Sequence, residues 1–145
     1  VGSGILLSQD VDIYEGETAA ETVVRMLQNN GYSVDYTGNY ETGFYLARIS
    51  SESNFVTGNI PEDLRTKLEE HGFEIYDFTP NSLGDYDFTK GSGWMYQVNG
   101  VYPNYGLSDY CFQNGDTLRL RFTLAYGADI GQDMTGGSDN WGYEW

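Results

Sequence analysis

Residues Gly91 to Gly131 read GSGWMYQVNGVYPNYGLSDYCFQNGDTLRLRFTLAYGADIG, and the fold of the chain turns on how this stretch divides. Trp94 to Val98 alternates a large ring with flanking residues. Asn99-Gly100 tolerates the positive φ of a tight hairpin, so Val101 is expected to begin a return strand. A second turn falls at Asn114-Gly115-Asp116. Beyond it Leu118, Leu120, Phe122 and Leu124 occupy one face, and Thr117, Arg119, Arg121 and Thr123 the other, a strict period of two. The stretch therefore reads as three strands joined by two glycine turns.

The same residues carry a resemblance. Gly-x-Gly-Trp-Met-Tyr-x-Val-Asn-Gly, then Asn-Tyr-Gly-Leu-Ser-Asp-Tyr, then Asn-Gly-Asp before an alternating strand, resembles the transcobalamin-like C-terminal domain of bacterial surface proteins. More distantly it is similar to the C-terminal domain of the animal cobalamin carriers, transcobalamin and intrinsic factor. The matching elements there are Trp94, the Gly106 to Tyr110 run and the acidic turn before the last strand. The resemblance implies a β-grasp-like fold for soluble-ligand binding and an extracellular, cell-surface or wall-associated setting. It also implies a corrinoid such as cobalamin as a candidate ligand, with an α-helical toroid domain as a partner in the parent chain.

Composition sets the outer bounds. At 145 residues the chain has the length of one ordinary domain, 1–145, with an insert at about 51–80 and a glycine- and aromatic-rich tail at about 132–145. The 22 acidic residues against 7 basic ones give a net charge of −15, a field that repels phosphate backbones and anionic membranes. Nucleic acid is thereby a poor partner, and no apolar run approaches the ~20 residues of a membrane helix. The plain reading of the charge is solubility in an extracellular setting. A single cysteine excludes an intrachain disulfide, as in many Gram-positive surface domains. The start at Val1, without methionine, is expected to mark a processed protein or an excised fragment.

Taken in order, Ile5 to Tyr14 alternates and is expected to be the first strand. Thr18 with Glu21 makes a capping box that starts a helix over Thr18 to Asn30, with Asn30-Gly31 as its stop. Ala20, Val23, Val24 and Leu27 line one face of that helix. Tyr32 to Thr37 and Gly43 to Ser50 read as strands around an exposed loop, Asn39 to Thr42. A second, inserted helix is expected over Pro61 to His71, its outer face carrying the pairs Asp63–Lys67 and Arg65–Glu69. It reads either as a packed surface helix or as a lid over a site. Phe73 to Phe78 is a candidate extra strand, and Leu83 to Phe88 leads into the organising stretch. This order predicts an α+β fold: a mixed or antiparallel sheet with one main packed helix and a second inserted one.

Catalytic chemistry finds little support in the residues. His71, the only histidine, falls at a helix end, where an imidazolium favours the dipole. Cys111, between Tyr110 and Phe112 in a strand-like run, reads as a small buried thiol rather than a nucleophile. Zinc lacks its His and Cys ligands, and no phosphate loop occurs. Asp129, Asp133, Asp139 and Asn140 supply oxygen donors for a calcium ion, without the spacing of an EF-hand.

Two functions stay open. In the first, Trp94, Tyr96, Asn99, Tyr102, Asn104 and Tyr105, with Asp109 and Tyr110 nearby, form a ligand-binding edge. Rings give apolar area at low entropic cost and the amides give orientation, for a corrinoid, a sugar or a peptide. The competing reading places Trp94 and Tyr96, two apart, together in a core. In the second, the chain is a structural or adhesive module that meets a surface protein or glycan and has no small ligand. A concave pocket bordered by Trp94, Tyr102 and Tyr105 would favour the first. A tyrosine-covered surface with exposed strand edges would favour the second.

Overall fold

The structure, a computed structural model, describes residues 6–132 and 140–143. Local chemistry fixes its first helix. The Thr18 hydroxyl accepts from the Glu21 amide (3.3 Å) and the Glu21 carboxylate from the Thr18 amide (2.9 Å), closing the expected capping box at the head of α1, Ala19–Asn29. Ala19, Ala20, Val23, Val24 and Leu27 are buried along one face. Arg25 grips Glu17 through two bonds of 2.7 and 3.1 Å and donates to the Asp12 carbonyl at 2.6 Å.

That last bond bears on the expected first strand. Ile5 lies outside the described residues, and 6–14 form no strand. Val11 and Ile13 do point inward by turns, but the Asp12 carbonyl is taken by a side chain and no ladder forms. Alternation describes an extended chain and cannot by itself supply a partner.

Strand β1, Tyr32–Thr37, pairs antiparallel with β2, Tyr45–Ser51, which pairs antiparallel with the short β3, Ser82–Gly84. Of the expected run Leu83 to Phe88, only the first residues join this sheet. Helix α2, Glu62–Glu70, starts after Pro61. Its Leu64 and Leu68 are fully buried, so α2 is part of the core rather than a lid. Neither expected ion pair forms among the described residues, and the partners of the first pair are taken by C-terminal rings. Asp63 accepts the Tyr143 hydroxyl (2.6 Å) and Lys67 lies 5.2 Å over the Trp141 ring. Among the described residues the ion pairs are Arg25–Glu17 and Arg48–Asp87. Phe73 to Phe78 joins no sheet.

The organising stretch forms a second antiparallel sheet of two strands, β4 (Gly93–Val98) and β5 (Leu118–Thr123), in the register Trp94 with Phe122, Tyr96 with Leu120 and Val98 with Leu118. The turn at Asn99-Gly100 forms with φ of 52° and 82°, and Val98 and Val101 exchange backbone bonds of 2.9 and 3.1 Å. There the expected return strand stops. Pro103, two residues on, has no N–H to give to a ladder. Asn99 also accepts from the Thr117 amide (2.9 Å) and donates to Asp116 (2.9 Å), which draws the far end of the excursion to β4. Residues 102–117 therefore form a loop with a 3-10 turn at Leu107–Asp109, and β5 takes the partner edge.

The molecule is thus α+β, with two helices and two small antiparallel sheets. One core cluster gathers α1 with Phe44, Leu46, Ile49 and Leu107; the other gathers α2 with Leu83, Phe88, Phe122 and Leu124. Trp94 packs against both. No helix among the described residues is long and apolar enough to cross a membrane.

Candidate functional site

Position 94 and position 96 lie two apart on β4, so their side chains share a face, and that face is the one covered by the helices. Trp94 donates its indole N–H to the Leu83 carbonyl (2.9 Å) and meets Phe122 edge-on at 5.3 Å. The Tyr96 hydroxyl donates to the Tyr105 carbonyl, and burial pushes its pKa up to about 12. Phe44, Tyr45, Leu46, Met95, Leu107 and Leu120 complete a cavity of about 50 Å³ beside the two rings, room for a water molecule and far below the ~300 Å³ at which ligand sites begin.

The other candidate residues go elsewhere. Tyr102 crosses to the opposite side of the sheet, where its hydroxyl donates to the Ile130 carbonyl (2.8 Å) and accepts from Arg121 (2.8 Å). Asn99 sits in the hairpin turn with its amide committed to Thr117 and Asp116. Tyr105 stacks on Tyr110 at 5.2 Å, and the Tyr110 hydroxyl donates to Asp116 (2.6 Å), whose pKa is lowered by that bond and by Asn99. Asn104 is exposed, and Asp109 caps its own 3-10 turn by accepting from the Gly106 amide (3.4 Å). Trp94, Tyr102 and Tyr105 therefore border no common concavity: the first faces the core, the second the back of the sheet, the third the loop.

Arg121 and Thr123, on the face of β5 opposite Leu118, Leu120 and Phe122, are buried. Arg121 donates to Tyr102, to the Ile130 carbonyl (3.0 Å) and to the Tyr143 carbonyl (2.8 Å), so the C-terminal segment covers that side. Asp129, one of the calcium candidates, is fully buried: one carboxylate oxygen accepts the Thr123 hydroxyl and the other the Leu124 amide (2.8 Å). Burial raises its pKa against those bonds. It is a structural brace with both oxygens engaged, and Asn140 turns its side-chain oxygen to the Gly142 amide (2.9 Å). Asp133 and Asp139 lie outside the described residues. Among the described residues no cluster of three His, Cys, Asp or Glu is arranged to hold a metal ion.

Cys111 is exposed and lies outside any strand, a correction to the buried thiol expected from its aromatic neighbours. It lies in the 102–117 loop, where the neighbouring Tyr110 turns its carbonyl to the Ala19 amide (2.6 Å) rather than to a strand. His71 sits at the end of α2 as expected, its Nδ1 2.9 Å from the Lys67 carbonyl and its ring 4.8 Å from Trp141.

One group of surface residues escaped the sequence reading. Tyr86 is 71% exposed and holds φ at 69°, a conformation that costs a bulky residue on the order of 1–3 kcal/mol. Arg48 secures the loop beneath it through Asp87 (2.7 Å) and the Asp85 carbonyl (3.2 Å), while the exposed Tyr45 donates to the Asp85 carboxylate (2.9 Å). Gly84-Asp85-Tyr86-Asp87 carries turn-forming residue types that could have marked this loop.

A family model described as a domain of unknown function (DUF4430) matches residues 71–123, which run from the end of α2 through β5. No curated protein and no solved structure matches the chain.

Proposed function

We propose that this chain is a noncatalytic module of an extracytoplasmic bacterial surface protein that binds a macromolecular partner through its outer surface. One observation carries the reading: Trp94 and Tyr96 pack beside a cavity of only about 50 Å³ and Tyr102 is tied to Ile130 and Arg121 behind the sheet, while Tyr45, Tyr76, Tyr86 and Tyr126 remain 40–71% exposed. Exposed tyrosines on a firmly held scaffold give contact area at low entropic cost, the usual chemistry of a protein- or glycan-binding surface. The net charge of −15 supports an extracellular setting and tells against nucleic acid. The resemblance to transcobalamin-like domains supports a place in a larger surface protein.

The hairpin tip favours a second reading. Val101, just past the turn, is 64% exposed, and an exposed apolar side chain at the tip suits the open face of a corrinoid whose other face rests on a helical toroid domain. Equilibrium ultrafiltration with cobalamin and cobinamide, followed by their own absorbance, separates the two. Surface recognition predicts that both corrinoids pass the filter freely in the presence of this chain. Retention that is lost on Val101→Asp, with the folded spectrum intact, overturns it in favour of the corrinoid.

A further inference from the structure

Phe73 to Phe78, FEIYDF, has the sequence of a strand and belongs to no sheet. Burial alternates through its first half, Phe73 and Ile75 turned inward and Glu74 and Tyr76 outward, as an extended chain requires. The Tyr76 amide donates to the Phe88 carbonyl (2.6 Å). In an extended chain alternate residues direct their backbone groups to opposite sides, so this bond assigns Ile75 and Asp77 to the outer side. Their N–H and carbonyl groups have no hydrogen-bond partner among the described residues. A groove of about 570 Å³ opens beside the segment, lined by Glu69, Gly72, Phe73, Glu74, Ile75 and Tyr76.

The segment is held in place from behind. Its first amide donates to the Leu68 carbonyl (2.9 Å) at the end of α2. Phe73 and Ile75 pack against the core, and Phe78 stacks on the buried Phe88 at 5.0 Å. An edge fixed in this way loses little freedom when a strand is added, which is the condition under which backbone pairing yields affinity.

We propose that Phe73–Phe78 is a docking edge to which an extended segment of a basic partner protein adds as a strand. The proposal rests on the partner-binding reading above and assigns its site. Backbone pairing engages Ile75 and Asp77, and the partner's Lys or Arg side chains meet Glu69, Glu74 and Asp77. Charge selects this occupant over a second copy of the chain. A second copy would bring the same carboxylates to the same edge and another net charge of −15 with them. Acidic side chains along an open edge block self-pairing and leave it available to a strand of opposite sign.

The test uses the full chain, labelled for residue-resolved NMR, and three capped synthetic heptapeptides: one alternating Lys with Val, one with Glu in place of Lys, and one Lys peptide N-methylated at its valines. The Lys–Val peptide is expected to bind, to slow amide exchange at Ile75 and Asp77 by about tenfold or more, and to weaken with salt. The N-methylated and Glu peptides are expected to bind at least about tenfold more weakly. Because Glu74 and Asp77 are exposed, the double variant Glu74→Lys, Asp77→Lys should keep the fold and reverse the preference between the Lys and Glu peptides. Absence of protection at Ile75 and Asp77 overturns the proposal, as does binding indifferent to N-methylation or to the charge reversal. Shifts confined to Tyr45 and Tyr86 overturn this site and leave the partner-binding reading standing, whereas corrinoid retention overturns that reading without reference to Phe73–Phe78.

Discussion

Trp94 shows how one side chain carries both sheets and both helices. Its ring lies between the two core clusters and its N–H closes on the Leu83 carbonyl, so its removal is felt on both sides. Trp94→Ala is expected to lower unfolding stability by about 3 kcal/mol, measured by urea denaturation. A variant as stable as the parent would return the ring to a ligand-facing role. Asp129 gives a residue-scale prediction with a defined sign. Burial raises its folded pKa above the unfolded value, so its contribution to stability is fullest below the ordinary carboxylate range and is lost as pH rises through the elevated value. Glu17, lowered by Arg25, and Asp116, lowered by Tyr110, act in the opposite sense and lose their contribution as pH falls. Urea denaturation of Asp129→Asn beside the parent, from about pH 4 to about pH 7, should shift the stability difference toward the variant as pH rises. A constant difference would contradict the buried, charge-disfavouring environment.

At the scale of elements, what was legible in the sequence is what forms from neighbours. The capping box of Thr18 and Glu21 needs only residues three apart, and α1 begins where they place it. Thr18→Ala should cost about 1 kcal/mol and leave the sheets intact by near-UV spectroscopy; an unchanged stability would deny the cap its role. The Asn99-Gly100 turn and the alternation of β5 were equally readable, since each is written within a few residues. Pairing was not. Val101 was read as a return strand because the turn before it was sound, but Pro103 and the clamp from Asn99 to Thr117 hand the edge to a strand beginning 17 positions further on, at Leu118. Alternation placed Arg121 opposite the leucines but could not show what covers it, which is Ile130 and Tyr143. The surroundings of the candidate site residues were hidden for the same reason. Periodicity put Trp94 and Tyr96 on one face, and what lies over that face belongs to distant chain.

Across the whole molecule, rings pack inward or brace loops around the hairpin, while the outer surface combines exposed tyrosines, a net charge of −15 and an edge at Phe73–Phe78 that is unpaired among the described residues. These features together are the basis of the proposal that the module works by contact rather than enclosure. Native-state amide hydrogen exchange of the free chain, read residue by residue, tests that proposal most directly. Slow exchange is expected in the paired β4 and β5 strands and at Tyr76, whose amide is bonded to Phe88, with fast exchange at the neighbouring Ile75 and Asp77 amides. Slow exchange at Ile75 and Asp77 in the free chain would mean that the edge is already paired within the fold, and the surface proposed for partners would be closed.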